Sequence, residues 1–333
     1  MVARKKKTVA FAKFARFIAA VVVFALAVFA SSGCYAQRYP GKPIQLIIPA
    51  AAGASLDIGA RILAAELEGI LNTRIVPVNR AGASGIVATD AAIRGKNDGY
   101  TLFYGSASAL VYAPNASPDL VHYEAARDLE PLGSHYFNIQ AITVRSDAPW
   151  RSFRELIDHA RKNPGKLIAV TAGVGSPIHF NWEILQAMTG AHFAIVPFEG
   201  GAVLTTSILG GHADVLFAAL GLVRPHVESG RMKMLLLTRK MPAYPATPTL
   251  AELGYNESLP AAWFGVYSPV GIPAEVRKIL VPAIAKAVDN TKARIEQMGG
   301  VVDYKTPSGQ REMFDIDYRR IYEIAVKTGM RKP

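Results

Sequence analysis

Short β-branched apolar runs alternate with segments of helical period along most of the chain. Strands are predicted at 44–49 (IQLIIP), 74–78 (RIVPV), 100–105 (YTLFYG), 139–144 (IQAITV) and 167–171 (LIAVT). Further strands are predicted at 193–198 (FAIVPF), 214–220 (DVLFAAL), 232–238 (MKMLLLT) and 263–269 (WFGVYSP). Between them, Leu56, Ala60, Leu63, Leu67 and Ile70 recur every three or four residues, the spacing of one apolar helix face. Ile178, Trp182, Leu185 and Met188 repeat that spacing. From about 273 the pattern is mostly helical, broken at 299–309 by GGVVDYKTPSG.

Alternating strand and helix signals predict an α/β protein. The pattern over 41–138 resembles that over 139–250, so two similar lobes are expected, each a mostly parallel sheet flanked by helices. The later strand at 263–269 is placed to cross back after the second lobe. Residues 37–138 with 254–333 are assigned to the first lobe and 139–253 to the second. Two lobes joined by crossing strands enclose a cleft able to open and close.

The N-terminus has a different logic. Arg4, Lys5, Lys6, Lys7, Lys13 and Arg16 form a basic stretch without acidic residues, followed by the apolar run FIAAVVVFALAVFA at 17–30. That run is short for a membrane span, and Cys34-Tyr35-Ala36 fits a small-x-small cleavage site. Residues 1–36 are predicted to be an export signal. A retained anchor and lipidation of Cys34 are the alternatives, the latter disfavoured by Ser31 where a lipoprotein signal carries leucine.

Removing the signal changes the charge. The chain has 37 basic and 26 acidic residues, net +11; without the six cations of the signal it has 31 against 26, net +5. No basic run interleaved with aromatics points to nucleic acid. Cys34 is the sole cysteine. The mature chain therefore has no disulfide, thiolate metal site or cysteine nucleophile, which suits an oxidising compartment.

Candidate chemistry concentrates in strand-to-helix loops with little side chain. Ala50 to Ser55 leads into a helix at Leu56–Asp57. TAGVGSPIHF (171–180) has Ser176 as expected N-cap and Pro177 at the first helical position. VPFEGGAVL (196–204) opens a helix with Gly200-Gly201. YGSAS (104–108) and NRAGASG (79–85) add hydroxyls at Ser84, Ser106 and Ser108. In parallel sheets such loops gather at the carboxyl ends of strands, where ligands bind. Glycine and serine also simply make tight turns; recurrence in several equivalent loops is what favours a site.

Enzymatic readings find little support. There is no G-x-S-x-G elbow, H-E-x-x-H pair, phosphate-binding loop or complete dinucleotide fingerprint. His179 reads as a packing or capping residue, and His212 and His226 as turn or surface residues. No metal site or cofactor is expected. The enzymatic alternative is an exported serine hydrolase using Ser84 or Ser176.

The motifs together resemble the Bug-type periplasmic solute-binding receptors of tripartite tricarboxylate transport systems. YPGKPIQLIIPAAAGASLDIGARILAAEL is similar to that family's opening Y-P-x-K-P-I-x-x-I-V-P-x-x-x-G-G-x-x-D-x-x-A-R. VNRAGASGIVATDAAIRGKNDGYTLFYGS, NPGKLIAVTAGVGSPIHF, PFEGGAVLTTSILGGHADVLF and AWFGVYSPVGIPAEV follow in the family's order, covering nearly the whole chain after the signal. The resemblance implies a clamshell receptor without catalysis, in the periplasm, binding a small carboxylate between its lobes. It implies a monomer whose partners are membrane transporter subunits or a sensor protein. It also implies that main-chain amides and ordered waters hold the carboxylate, with the loop after the first strand as main cradle. Carried onto this chain, the ligand-binding positions are Ala51, Ala52, Gly53, Ala54, Ser55 and Asp57, then Ser106 and Ser108. The second lobe contributes Ala172, Gly173, Gly175 and Ser176, with Gly200, Gly201 and Ala218.

Three departures bear on the ligand. Ala54 replaces the second glycine of the first loop, Glu199 stands where the family has lysine, and Ala218-Ala219 replace an acidic and a small polar residue. Together they predict a monocarboxylate with an apolar, aromatic or amino-bearing remainder rather than a citrate-like acid.

Overall fold

The computed structural model describes residues 39–332 apart from 172, 174–175, 199–200, 257–258 and 261; the side chains of 201 and 202 are likewise outside the description. The expected signal and Cys34 therefore lie outside the described residues, as do the site candidates Ala172, Gly175, Glu199 and Gly200. The chain divides into Met1–Gly41 and Lys42–Pro333, and every strand and helix named below belongs to the second unit.

Two sheets carry the fold. The first has the order β11-β4-β10-β3-β1-β2 and the second β7-β6-β8-β5-β9. The first holds β1 (Ile44–Ile48), β2 (Ile75–Asn79), β3 (Thr101–Ser106), β4 (Leu129–Asn138), β10 (Ala262–Pro269) and β11 (Gly300–Val302). The second holds β5 (Gln140–Arg145), β6 (Ile168–Thr171), β7 (Ala194–Pro197), β8 (Val215–Ala219) and β9 (Met232–Leu237). Helices α1 (Ser55–Leu71), α2 (Ile86–Ile93), α7 (Ala274–Asn290) and α8 (Pro307–Lys327) lie in the chain segments of the first sheet. Helices α3 (Phe153–Lys162), α4 (Pro177–Thr189), α5 (Gly201–Leu209) and α6 (Leu220–Glu228) lie in those of the second.

The expectation of mostly parallel sheets needs correction: both are mixed. β1 pairs in parallel with β2 and β3, and β6 with β7 and β8. β10 runs antiparallel to β3 and β4, β11 to β4, and β5 to β8 and β9. The cause is topological: a strand that arrives from the other sheet, as β5 and β10 do, enters beside its neighbour without a helical crossover, and only crossovers force parallel pairing.

The chain leaves the first sheet at Asn138–Gln140 and returns before Ala262, and Asn138 pairs with Ala262. The two crossings thus lie side by side. Asn181 of α4, fully buried, donates to the Gln140 side-chain oxygen at 3.0 Å and to the Pro260 carbonyl at 3.5 Å. One amide holds both crossings to α4. A single apolar cluster joins Ile47, Phe103 and Tyr267 of the first sheet to Ile142, Val144 and Phe217 of the second, through Tyr112, Phe180 and Phe314. The interior strands read as continuous apolar runs because both faces are covered. Among the described residues no helix is long and apolar enough to cross a membrane.

Candidate functional site

The loop between β1 and α1 is solvent-exposed from Ala51 to Ser55 and is fixed from beneath. Asp57, 2% exposed, accepts from the Gly53 amide at 2.8 Å, from Arg61 Nε at 2.9 Å and from Asn79 Nδ2 at 2.8 Å. Asn79, the last residue of β2, also donates to the Ala50 carbonyl at 3.0 Å and accepts from Arg61 Nη2 at 2.8 Å. Burial pushes the Asp57 carboxyl up, but the bonds from Arg61, Asn79 and Gly53 outweigh it and hold it below the ordinary value. The carboxylate is therefore ionised and neutralised by Arg61. Gly53 adopts φ +82°, which its missing side chain permits.

The consequence is a sorted set of main-chain donors. The Gly53 amide is committed to Asp57, and the Ala54 amide reaches the Ala51 carbonyl at 3.3 Å. The helical ladder starts with the Ile58 amide on the Ala54 carbonyl at 3.0 Å. The amides of Ser55, Leu56 and Asp57 are thus the first-turn donors a helix leaves without internal partners. Ala54, the N-cap, has no side-chain cap. The Ser55 hydroxyl does not cap the helix; Asp57 instead braces its entry. Arg61 and Asn79 are missing from the sequence candidates. Their signal is present in the sequence, as an Asp57/Arg61 pair at i,i+4 and an asparagine ending a predicted strand.

The loop after β2 closes on this one. Gly82, Ala83, Ser84 and Gly85 take φ of +138°, +44°, +53° and +105° in succession. Two non-glycine residues in the left-handed region store strain. At Gly85 a Cβ would stand 2.5 Å from Ala109 Cβ and 3.2 Å from Pro49 Cβ, so its bare backbone is where the loops after β1, β2 and β3 meet. Ser106 is 2% exposed, and its hydroxyl accepts from the Ala109 amide at 3.2 Å, an internal role rather than an open donor. Ser108, half-buried, begins a π-helical turn over Ser108–Tyr112.

In the second sheet, Ser176 is the N-cap of α4, as its Ser-Pro pattern predicts. Its hydroxyl accepts from the His179 amide at 3.2 Å and shares a 2.9 Å hydrogen bond with the buried Thr171 hydroxyl. Gly173 takes φ +109° and accepts from the Ser176 amide at 3.3 Å. Gly201 opens α5. Ala218 is 1% exposed within the apolar core of the second sheet; its side chain faces that core, and Ala219, half-buried at the strand end, is the more accessible of the pair. Burial pushes the His179 imidazole below its usual value, with Glu183, 3.7 Å away, pulling the other way. Among the described residues no cluster of three or more His, Cys, Asp or Glu side chains is placed to hold a metal.

The described residues thus show a braced, exposed helix entry at α1 and a side-chain-capped one at α4. The model of the tripartite tricarboxylate transporter family receptor (TctC) matches residues 59–317. The chain belongs to this receptor family. It is 30% identical over 319 residues to the protein BugT of Bordetella pertussis, covering 94% of this chain and 98% of BugT. A TctC solute-binding protein from Polaromonas is 27% identical with a TM-score of 0.76, covering 87% of this chain and 99% of that one. An R. palustris protein, Rpa4515 with adipate, is 26% identical with a TM-score of 0.72, covering 87% of this chain and 98% of that one. Members of the tripartite tricarboxylate receptor family of this kind are solute-binding proteins, and the two-sheet α/β architecture is theirs.

Proposed function

We propose that the chain is an exported periplasmic receptor that captures a small carboxylate between two lobes, 37–138 with 254–333 and 139–253, and delivers it to membrane transporter subunits. The carboxylate is held by main-chain amides of the first turn of α1, at Ser55 and Leu56, with the Gly173–Ser176 entry of α4 opposite. The observation that carries this is Asp57, which spends its charge on Arg61, Asn79 and Gly53 and so fixes the exposed loop 51–55. Each charge-assisted bond from an amide contributes about 1.5–3 kcal/mol, and the α1 dipole about 0.3–1 kcal/mol. Such donors bind an anion without a lysine, which suits a receptor that must release its cargo. The adipate in the R. palustris relative supports a carboxylate ligand. Ala219, at the end of β8, offers only methyl and main chain, which favours a ligand whose far end is apolar, aromatic or amino-bearing.

A thermal-shift screen of mono- and dicarboxylates, amino acids and aromatic acids tests this reading. A true ligand at 100 times Kd stabilises the fold by about 2.7 kcal/mol. A shift with neutral sugars or peptides alone overturns it.

A further inference from the structure

A cavity of about 610 Å³ opens between the segment after β3 and helix α8, and none of its lining residues belongs to the loops after β1, β2, β6 or β7. Leu110, Pro114 and Val121 form one wall, and Phe314, Tyr318 and Tyr322 of α8 the other. That volume falls in the range of small-molecule sites, about 300–1,000 Å³, and its lining sets apolar and aromatic side chains beside the charged Glu124, Asp315, Arg319 and Arg331.

Those polar groups are unequally occupied. Glu124 is paired with Arg127 at 3.0 Å. Arg331 donates to Asn115 Oδ1 at 2.9 Å and stacks on Tyr322 at 4.9 Å. Arg319 lines the cavity and has no ion pair among the described residues, Asp315 one turn earlier on α8 included. The Tyr123 hydroxyl is buried beside the Thr89 hydroxyl and meets no acceptor in good hydrogen-bond geometry. Its neighbour Thr89 spends its own hydroxyl on the Gly85 carbonyl at 2.9 Å. A buried polar atom left unpaired is costly and calls for a ligand or another cause. Burial lifts the Tyr123 phenol to about 12, so it is protonated and available as a donor.

We propose that this cavity is a second binding site, for a small hydroxy-aromatic monocarboxylate. The ring lies between the Pro114 wall and the aromatic face of α8, where offset or edge contacts are favoured. The carboxylate pairs with Arg319 at the rim, and the ring hydroxyl accepts from Tyr123 within.

Equilibrium dialysis of the mature chain against 4-hydroxybenzoate and benzoate tests the site. Arg319→Ala removes an exposed side chain and should weaken 4-hydroxybenzoate about ten-fold. Tyr123→Phe removes only that hydroxyl and keeps the ring, so the fold is kept, while the preference for 4-hydroxybenzoate over benzoate should vanish. Glu275→Gln, on the exposed first turn of α7, should leave this binding unchanged. Absence of 4-hydroxybenzoate binding, or binding unaltered in either cavity variant, overturns the proposal. Binding lost in Asp57→Asn but kept in both cavity variants overturns it too and assigns the binding to the β1–α1 loop.

Discussion

The Asp57 carboxylate accepts the Gly53 amide at 2.8 Å, reaching back from the third residue of α1 to the residue before the helix N-cap. The bond resembles a capping box displaced by one residue, and it commits the Gly53 amide while the Ser55, Leu56 and Asp57 amides precede the helical ladder. Truncation should therefore act on stability and binding together. Asp57→Ala leaves the Gly53 amide without its acceptor and takes one of two acceptors from Asn79 and from Arg61. A loss of about 2–3 kcal/mol is expected, with weakened carboxylate binding in the folded remainder. Urea denaturation and calorimetry on one preparation check both; unchanged affinity would remove Asp57 from the site.

The two serines at the helix entries should part company. Ser176 caps α4 through the His179 amide at 3.2 Å, so Ser176→Ala should cost about 1 kcal/mol. Ser55 caps nothing, and its replacement by alanine should stay within about 0.5 kcal/mol. Any loss of affinity in Ser55→Ala then reports contact with the ligand. Denaturation midpoints of the two variants separate the roles.

At Gly85 the strain argument and the packing argument agree. Alanine there must hold φ +105° and place Cβ 2.5 Å from Ala109 Cβ. A destabilisation of about 1–3 kcal/mol is expected, and with it a splaying of the three loops that lowers affinity. Calorimetry on the folded fraction would expose a purely global effect as undiminished Kd.

The nine predicted strands all form, within a residue or two of the expected bounds, because each is a short apolar, largely β-branched or aromatic run. β4 and β11 were not legible. β4 reads LEPLGSHYFN, with Pro131, Gly133 and His135 interrupting any period, yet it is paired on both sides, between β11 and β10. Its pairing with β10 slips at two places, and Gln310 of α8 supplies an acceptor to the Gly133 amide at 2.8 Å. Tertiary contacts of that kind leave no local pattern. The helix-entry loops after β1 and β6 were legible from small residues and helix-start signals. What braces them was not, because Asn79 meets Asp57 only once β2 lies beside β1.

His135 of β4 gives the fold a specific acid sensitivity. It is fully buried between the Tyr104 hydroxyl at 2.6 Å and the Thr291 hydroxyl at 2.9 Å, and burial lowers its pKa to about 3. The unfolded chain protonates this ring near pH 6.5, whereas the folded chain keeps it neutral. Its contribution is complete above that value and is lost as pH falls, by about 1.4 kcal/mol per unit towards pH 3. Asp57 behaves in the same sense but lower, losing its contribution only as pH falls through and below the ordinary carboxylate range. Stability measured by urea between pH 7 and 5 should therefore decline, and His135→Gln should flatten that slope while lowering stability at pH 7. An unaltered slope would show that another group carries it.

Tyr112 and Phe180 test whether the two sheets are coupled through their shared core. Their ring centroids lie 5.5 Å apart at a tilt of 54°, with Tyr112 in the turn after β3 and Phe180 at the start of α4, one turn from Ser176. Both side chains are almost wholly buried, and the Tyr112 hydroxyl has no hydrogen-bond partner. Removing only that hydroxyl should be neutral or stabilising, since an unpaired buried donor costs about 1–3 kcal/mol. Removing either ring is different. Phe180→Ala should cost about 3–5 kcal/mol, and a double-mutant cycle with Tyr112→Leu and Phe180→Leu should return a coupling of about 0.5–1.5 kcal/mol. Because α4 carries the Gly173–Ser176 entry loop, Phe180→Leu should also weaken carboxylate binding, while Tyr112→Phe leaves it intact. Stability from denaturation and affinity from calorimetry on these variants decide the point. Additive losses with unchanged affinity would mean that the two rings fill space without tying one sheet's loops to the other's.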